Sequence, residues 1–197
     1  MSVKSRSLLG TLLFVGAAQF ILVMTVAEAL YPGYNTTTNY ISDLGVGSTA
    51  LLFNTSVALF GVMALLGAAF GRRSLGTPLT LTLVLAGAGA VGVGLFPETT
   101  GAPHQICSLI EFFFGASSAI ISYRIMRRPL SYFSVVLGVI ALVALVLLVP
   151  IELRASHGIL YLPLYDLVIG RGGMERMIAF PILVWGLGFG GFMMGSR

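Results

Sequence analysis

Apolar residues gather in six runs, at about residues 8–30, 49–70, 77–96, 104–123, 131–151 and 174–195, each parted from the next by a polar or turn-forming stretch. A helix rises about 1.5 Å per residue, so about 20 residues cross the hydrocarbon core of a bilayer, and every run is long enough to do so. The pattern predicts an all-α membrane protein, a six-transmembrane-helix bundle forming a single integral domain over 1–197. The first run follows Lys4 and Arg6 as a signal peptide would. Its length and the lack of a small-x-small cleavage site mark it instead as a retained span.

The connections set the expected topology. Lys4, Arg6, Arg72, Arg73, Arg124, Arg127, Arg128 and Arg197 all fall on one side of a six-span arrangement, and Arg154, Arg171 and Arg176 on the other. Because Lys and Arg accumulate on the cytoplasmic side, this predicts both termini inside, N-in and C-in, in a multi-pass protein of the cell membrane. Every acidic residue then lies in an outer loop or the outer half of a span, so function is expected at the outer face. The first outer connection opens with Tyr31-Pro-Gly-Tyr and carries the sequon Asn35-Thr36-Thr37, a glycosylation acceptor where the host modifies exported proteins. The last, about 152–173, is apolar but proline-broken and too short to span. It is expected to lie in the interface or dip back against the bundle, with Glu152, His157, Asp166 and Arg171 solvated.

Composition removes the soluble alternative, since 57% of residues are hydrophobic and only 9% charged, against roughly 25% charged in a soluble domain. A mean hydropathy of +0.98 agrees. The net charge of +4 is scattered between apolar runs, which reads as topology and argues against a nucleic-acid partner. Cys107 is the single cysteine, expected to be structural. Spacings such as Ala86, Ala90 and Gly94 suit close helix packing.

The fourth span carries the most chemistry. His104, Ser108, Glu111, Gly115, Ser118 and Ser122 recur at steps of three and four, placing one polar or small stripe along a single helical face. Glu111 lies about 10 Å along the helix from His104, and an ionised carboxylate at that depth costs several kcal/mol unless paired. Arg176 is its expected partner. Intramembrane polar groups are candidates for function, so Asp43, Asn54, Glu98, His104, Ser108, Glu111, Glu175 and Arg176 are expected to line an outward-facing pocket. Two histidines without HxxxH or HExxH spacing argue against a metal site or haem, and no cofactor is expected. Ser108, His104 and Glu111 share a face, but side chains four apart on one helix lack the freedom of a triad.

The segments Tyr31-Pro-Gly-Tyr-Asn, Asn39-Tyr-Ile-Ser-Asp-Leu-Gly, Asn54 with Phe60-Gly61, Gly94-Leu-Phe-Pro-Glu98, His104 and Glu175-Arg176 with Pro181 resemble the domain-of-unknown-function 998 family of archaeal and bacterial multi-pass membrane proteins. The Ile-Ser-Asp-Leu-Gly segment, the Pro-Glu and the His ahead of Phe-Phe-x-Gly are also distantly similar to the DRAM, Sfk and FRAG group of six-helix membrane proteins. That group is associated with lipid organisation, autophagy and lipid-anchor processing, and the resemblance points to Asp43, Glu98 and His104 as a shared outer-face set. The leading expectation is a protein that binds or organises membrane lipids through the outer pocket, with Arg176 near a phosphate. Alternatives are a membrane-embedded enzyme acting on a lipid or lipid-linked glycan at the outer leaflet, and an accessory subunit of a membrane complex or small transporter. A homo-oligomer or membrane-complex partner fits the same sequence.

Overall fold

A computed structural model describes the backbone of residues 3–157 and 169–195, and the side chains of 4–148 and 169–195. Within it run α1 (Val3–Leu30), α2 (Ala50–Leu95), α3 (Ala102–Ile121), α4 (Leu130–His157) and α5 (Gly170–Gly195). Among the described residues, five helices are long and apolar enough to cross a membrane. Glu152, Arg154, His157 and Asp166, with most of the connection after α4, lie outside the described side chains.

The runs expected at 49–70 and 77–96 fall within α2, which is 46 residues long and broken at one point. Gly76 takes φ 72°, ψ 162°, a backbone region open to glycine and strained for other residues. Pro78 follows in the first turn of the second arm, where its missing N–H leaves no bond unmade. The arms fold back on each other. A Cβ built on Gly61 would lie 2.6 Å from the Gly87 carbonyl oxygen, and one on Gly94 would lie 2.5 Å from that of Asn54. Residues before and after Gly76 therefore pair antiparallel, with glycine backbones in direct contact. The expected loop at 71–76 contracts to Gly76 alone, because helical hydrogen bonding continues through Arg72 and Arg73 once the apolar run has ended.

The helices close a ring in which α1 packs on α2, α2 on α3, α3 on α4, α4 on α5, and α5 back on α1. Its outer surface is apolar, with Leu22 67%, Leu51 83%, Leu95 66% and Val146 67% exposed, the inverse of a soluble protein. The interior is held by small residues and by polar groups that find each other. Gln19 of α1 exchanges hydrogen bonds with Ser56 of α2, at 3.0 Å to its carbonyl and 2.8 Å from its hydroxyl. Ser118 donates to Thr82 at 2.9 Å, and Trp185 donates its indole N–H to Ser122 at 2.9 Å. The lower half of the α3 stripe thus ties helices together.

One end of the ring, the hinge end, holds Gly76, the start of α1 and the turn after α3, with Arg6 donating to Ser74 at 3.4 Å. The other, the loop end, holds residues 31–49, 96–101 and the head of α5. There the connection after α1 folds through two short 3-10 turns, Ser42–Gly45 and Gly47–Thr49, and lies across α5, where the Gly172 N–H donates to the Thr37 carbonyl at 3.0 Å.

Candidate functional site

Two recesses open at the loop end, parted by the Ile41-Ser42 segment. The outer one is a depression of about 260 Å³ bordered by Tyr31, Asp43, Val46, Glu98 and Thr99. Asp43 is fixed by its own loop, its Oδ2 accepting from Asn39 Nδ2 at 2.7 Å and from the Tyr40 N–H at 3.0 Å. Glu98, on the turn between α2 and α3, lies within hydrogen-bonding reach of the Asp43 carboxyl and accepts from Ser42 Oγ at 3.4 Å. Burial first, then the hydrogen bond and charge of Asp43, push the Glu98 carboxyl up to about 7, while Ser42 and the charge of Arg171 act in the opposite sense.

The inner recess is a narrow cavity of about 30 Å³ in the middle of the ring. Ser42, Ser108, Glu111 and Glu175 bring polar atoms to it, and aromatic side chains such as Phe20, Phe53 and Phe112 make the rest of its wall. Glu175, 7% exposed, accepts from the Ile41 N–H through Oε2. Glu111 reaches the cavity because α3 crosses the second arm of α2 at Gly89, where a Cβ would lie 2.5 Å from the Glu111 N–H nitrogen. Behind Ser108 stands His104, 7% exposed. Its Nδ1 is 2.8 Å from the Phe96 carbonyl oxygen, which can only accept, so Nδ1 carries a proton, and Nε2 lies 3.3 Å from the Ser108 hydroxyl.

The expected set therefore divides. Asp43 and Glu98 meet in the depression, Ser108, Glu111 and Glu175 in the cavity, and His104 supports Ser108. Asn54 borders neither recess. Its Nδ2 donates to the Gly45 carbonyl at 2.9 Å, fastening the loop to the head of α2.

The expected Glu111 to Arg176 pair is not formed. Arg176 pairs with Glu28 of α1 at 2.6 Å, and donates to Tyr34 Oη at 2.7 Å and to the Thr36, Asn39 and Gly172 carbonyls at 3.0, 3.3 and 3.0 Å. One helical step separates Glu175 from Arg176 by about 100°, so Glu175 points into the ring while Arg176 points toward α1 and the loop. Tyr34 in turn donates to the Tyr40 carbonyl at 2.7 Å, and burial pushes its hydroxyl up to about 12 against the opposing pull of Arg176. Arg171 is likewise engaged, donating to the Thr38 carbonyl at 2.7 Å with its guanidinium 5.2 Å from the Tyr40 ring centre. Both arginines clamp the loop, Arg176 through its terminal nitrogens and Arg171 through Nε.

Among the described residues no group of three or more His, Cys, Asp or Glu is placed to hold a metal ion. Cys107 packs against Gly92 as a free thiol. Sequence reasoning did not single out Tyr31, Tyr34, Ser42 or Thr99. Ser42 stands inside the Ile-Ser-Asp-Leu-Gly segment, and its position beside Asp43 in a helical turn is the signal that would have marked it.

The family model described as "Protein of unknown function (DUF998)" matches residues 14–190, which include every side chain of both recesses. The chain belongs to the DUF998 family. No curated protein and no solved structure matches it. In this DUF998 chain both recesses lie at the loop end.

Proposed function

We propose that this DUF998 protein binds and organises a membrane lipid at the outer leaflet, and that the depression around Asp43 and Glu98 receives its headgroup. In this reading the chain crosses the bilayer six times, each arm of α2 counting as one crossing, with both termini in the cytoplasm and the loop end outside. The basic residues of the hinge end support that orientation. The observation that carries the proposal is the carboxyl pair facing a 260 Å³ depression beside Tyr31, while the neighbouring guanidinium groups of Arg171 and Arg176 are committed to the loop. A recess whose described lining offers carboxyl acceptors and no cation suits a headgroup bearing an amine or several hydroxyls, with Tyr31 available for cation–π contact. Anionic phosphate is the poorer match.

Thermal unfolding in vesicles tests this, because a ligand bound only by the folded state raises the melting temperature. An aminolipid or glycolipid is expected to raise it above its value in a purely anionic bilayer, and Asp43→Asn with Glu98→Gln is expected to abolish the difference. Equal stabilisation by anionic lipid, or no effect of the double substitution, would contradict the proposal.

A second reading, a membrane-embedded enzyme acting on a lipid or lipid-linked glycan, is favoured by the Ser108 hydroxyl directed at His104 Nε2 with the tautomer set by the Phe96 carbonyl. Labelling of Ser108 by a fluorophosphonate, lost in His104→Gln, is its expected signature. An unlabelled Ser108 would remove it.

A further inference from the structure

We infer that the inner cavity is a water site, and that its water joins Glu111 to Glu98 through the Ser42 hydroxyl, so that Glu111 exchanges its proton with the loop-end surface alone. The inference goes beyond headgroup binding and shares Glu98 with it.

The cavity supplies the first observation. About 30 Å³ exceeds the roughly 10–15 Å³ that one water needs, and a buried water needs two to four polar partners. Ser42, Ser108, Glu111 and Glu175 provide them. The second observation is that the carboxyls are incompletely satisfied. Among the described residues Glu111 receives no hydrogen bond, and Glu175 receives one, from Ile41 to Oε2, leaving Oε1 without a donor. Glu175 is buried and Glu111 half-buried; buried polar atoms are rarely left so, and water in the cavity would serve both.

Ser42 supplies the third. It borders the cavity and its hydroxyl also donates to Glu98 Oε2 at 3.4 Å, so it is the polar step between the two recesses. Glu111 gives its proton to the water, the water gives one of its own to Ser42 Oγ, and Ser42 passes its hydroxyl proton to the Glu98 carboxylate. Water and serine are restored, and the charge has moved from Glu98 to Glu111.

Toward the hinge end the line stops. Gly115 packs on Ile182, where a Cβ would meet its side chain at 3.1 Å. The next polar step, Ser118 with Thr82, lies about 10 Å beyond Glu111 and is closed on itself. The groups around Glu111 are Glu175 from α5, Ser108 and His104 from its own helix and Ser42 from the loop, with Asp43 and Glu98 behind it. Phe20 of α1, Phe53 and Val93 of the two arms of α2 and residues 130–148 of α4 bring no charge. Arg176 is held by Glu28, and Arg171 by Thr38.

Infrared difference spectroscopy of the full chain in sealed vesicles tests the inference. A carboxylic-acid C=O band that Glu111→Gln removes is expected to respond to a pH jump on the loop-end side and not on the other. Its deuterium exchange is expected to slow at least about tenfold in Ser42→Ala, the loss of one relay step, and to be kept in Ser42→Thr, which retains the hydroxyl. No Glu111 band at any pH, a response to the hinge-end side, or equal exchange in Ser42→Ala and the unaltered chain would each overturn it. Loss of bound lipid with the band unchanged would count against headgroup binding alone.

Discussion

Arg176 shows how one side chain fixes the loop end of the molecule. Its guanidinium joins α1 through Glu28 and the loop through Tyr34 and three carbonyls, two of them in the loop, with 13% of its side chain exposed. Removing one partner of a largely buried pair leaves the other uncompensated, so Arg176→Ala is expected to destabilise by about 3 kcal/mol, read as a lower melting temperature in detergent. Arg176→Lys keeps charge and loses the planar fork, and should fall between.

Glu98 gives a pH dependence. Its carboxyl is raised from the ordinary 4.5 to about 7, so between those values the folded protein holds more protons than the unfolded chain. Stability therefore falls as pH rises through that window, and Glu98→Gln is expected to flatten the fall. A melting temperature that climbs with pH from 4.5 to 7 in the unaltered chain would be the opposite of this expectation. Sequence showed Glu111 in need of a partner and pointed to Arg176, which pairs with Glu28 instead. The three-and-four periodicity of α3 placed Glu111 on the stripe that faces the ring, whereas the direction of Arg176 depends on where α5 begins and how it is turned against α1.

At the scale of elements, close backbone contact does most of the joining. Leucine at Gly61 would drive a side chain into the Gly87 carbonyl, 2.6 Å from where its Cβ would stand. Gly61→Leu is expected to part the arms of α2 and destabilise by about 1–3 kcal/mol or more, measured by thermal unfolding, with Gly188→Leu, which meets nothing within 4 Å, as the tolerated control. Between α3 and α5 the tie is polar. Ser122→Ala leaves the Trp185 N–H buried without its acceptor, at a cost of about 1–3 kcal/mol. Because Trp185 is the single tryptophan, its emission reports the change directly.

The apolar runs were legible as helices because length and hydropathy suffice for that. Helix ends were less so, since hydrogen bonding carries α1 back to Val3 and α5 back to Gly170 beyond their apolar stretches. The α2 hairpin was legible in kind, with its turn sharpened to Gly76 by a conformation that only the backbone reveals.

Taken whole, the molecule separates a hinge end rich in arginine from a loop end where carboxyls gather around two recesses. The sequence pattern placed Asp43, Glu98, Ser108, Glu111 and Glu175 at the same end. That they divide between an open depression and an inner cavity follows from the fold of residues 31–49, whose hydrogen bonds run to α5 and to the turn at Glu98, far away in sequence. No local pattern encodes such contacts. The same loop supplies carbonyls to which Arg171 and Arg176 donate.

The account turns on what occupies the outer depression, and native mass spectrometry of the protein taken intact from membranes reads this most directly. A retained lipid with an amine- or hydroxyl-bearing headgroup is predicted, lost when Asp43→Asn and Glu98→Gln are combined and kept in Gly188→Leu. No retained lipid, or an anionic lipid held equally by the unaltered chain and the double variant, would contradict it.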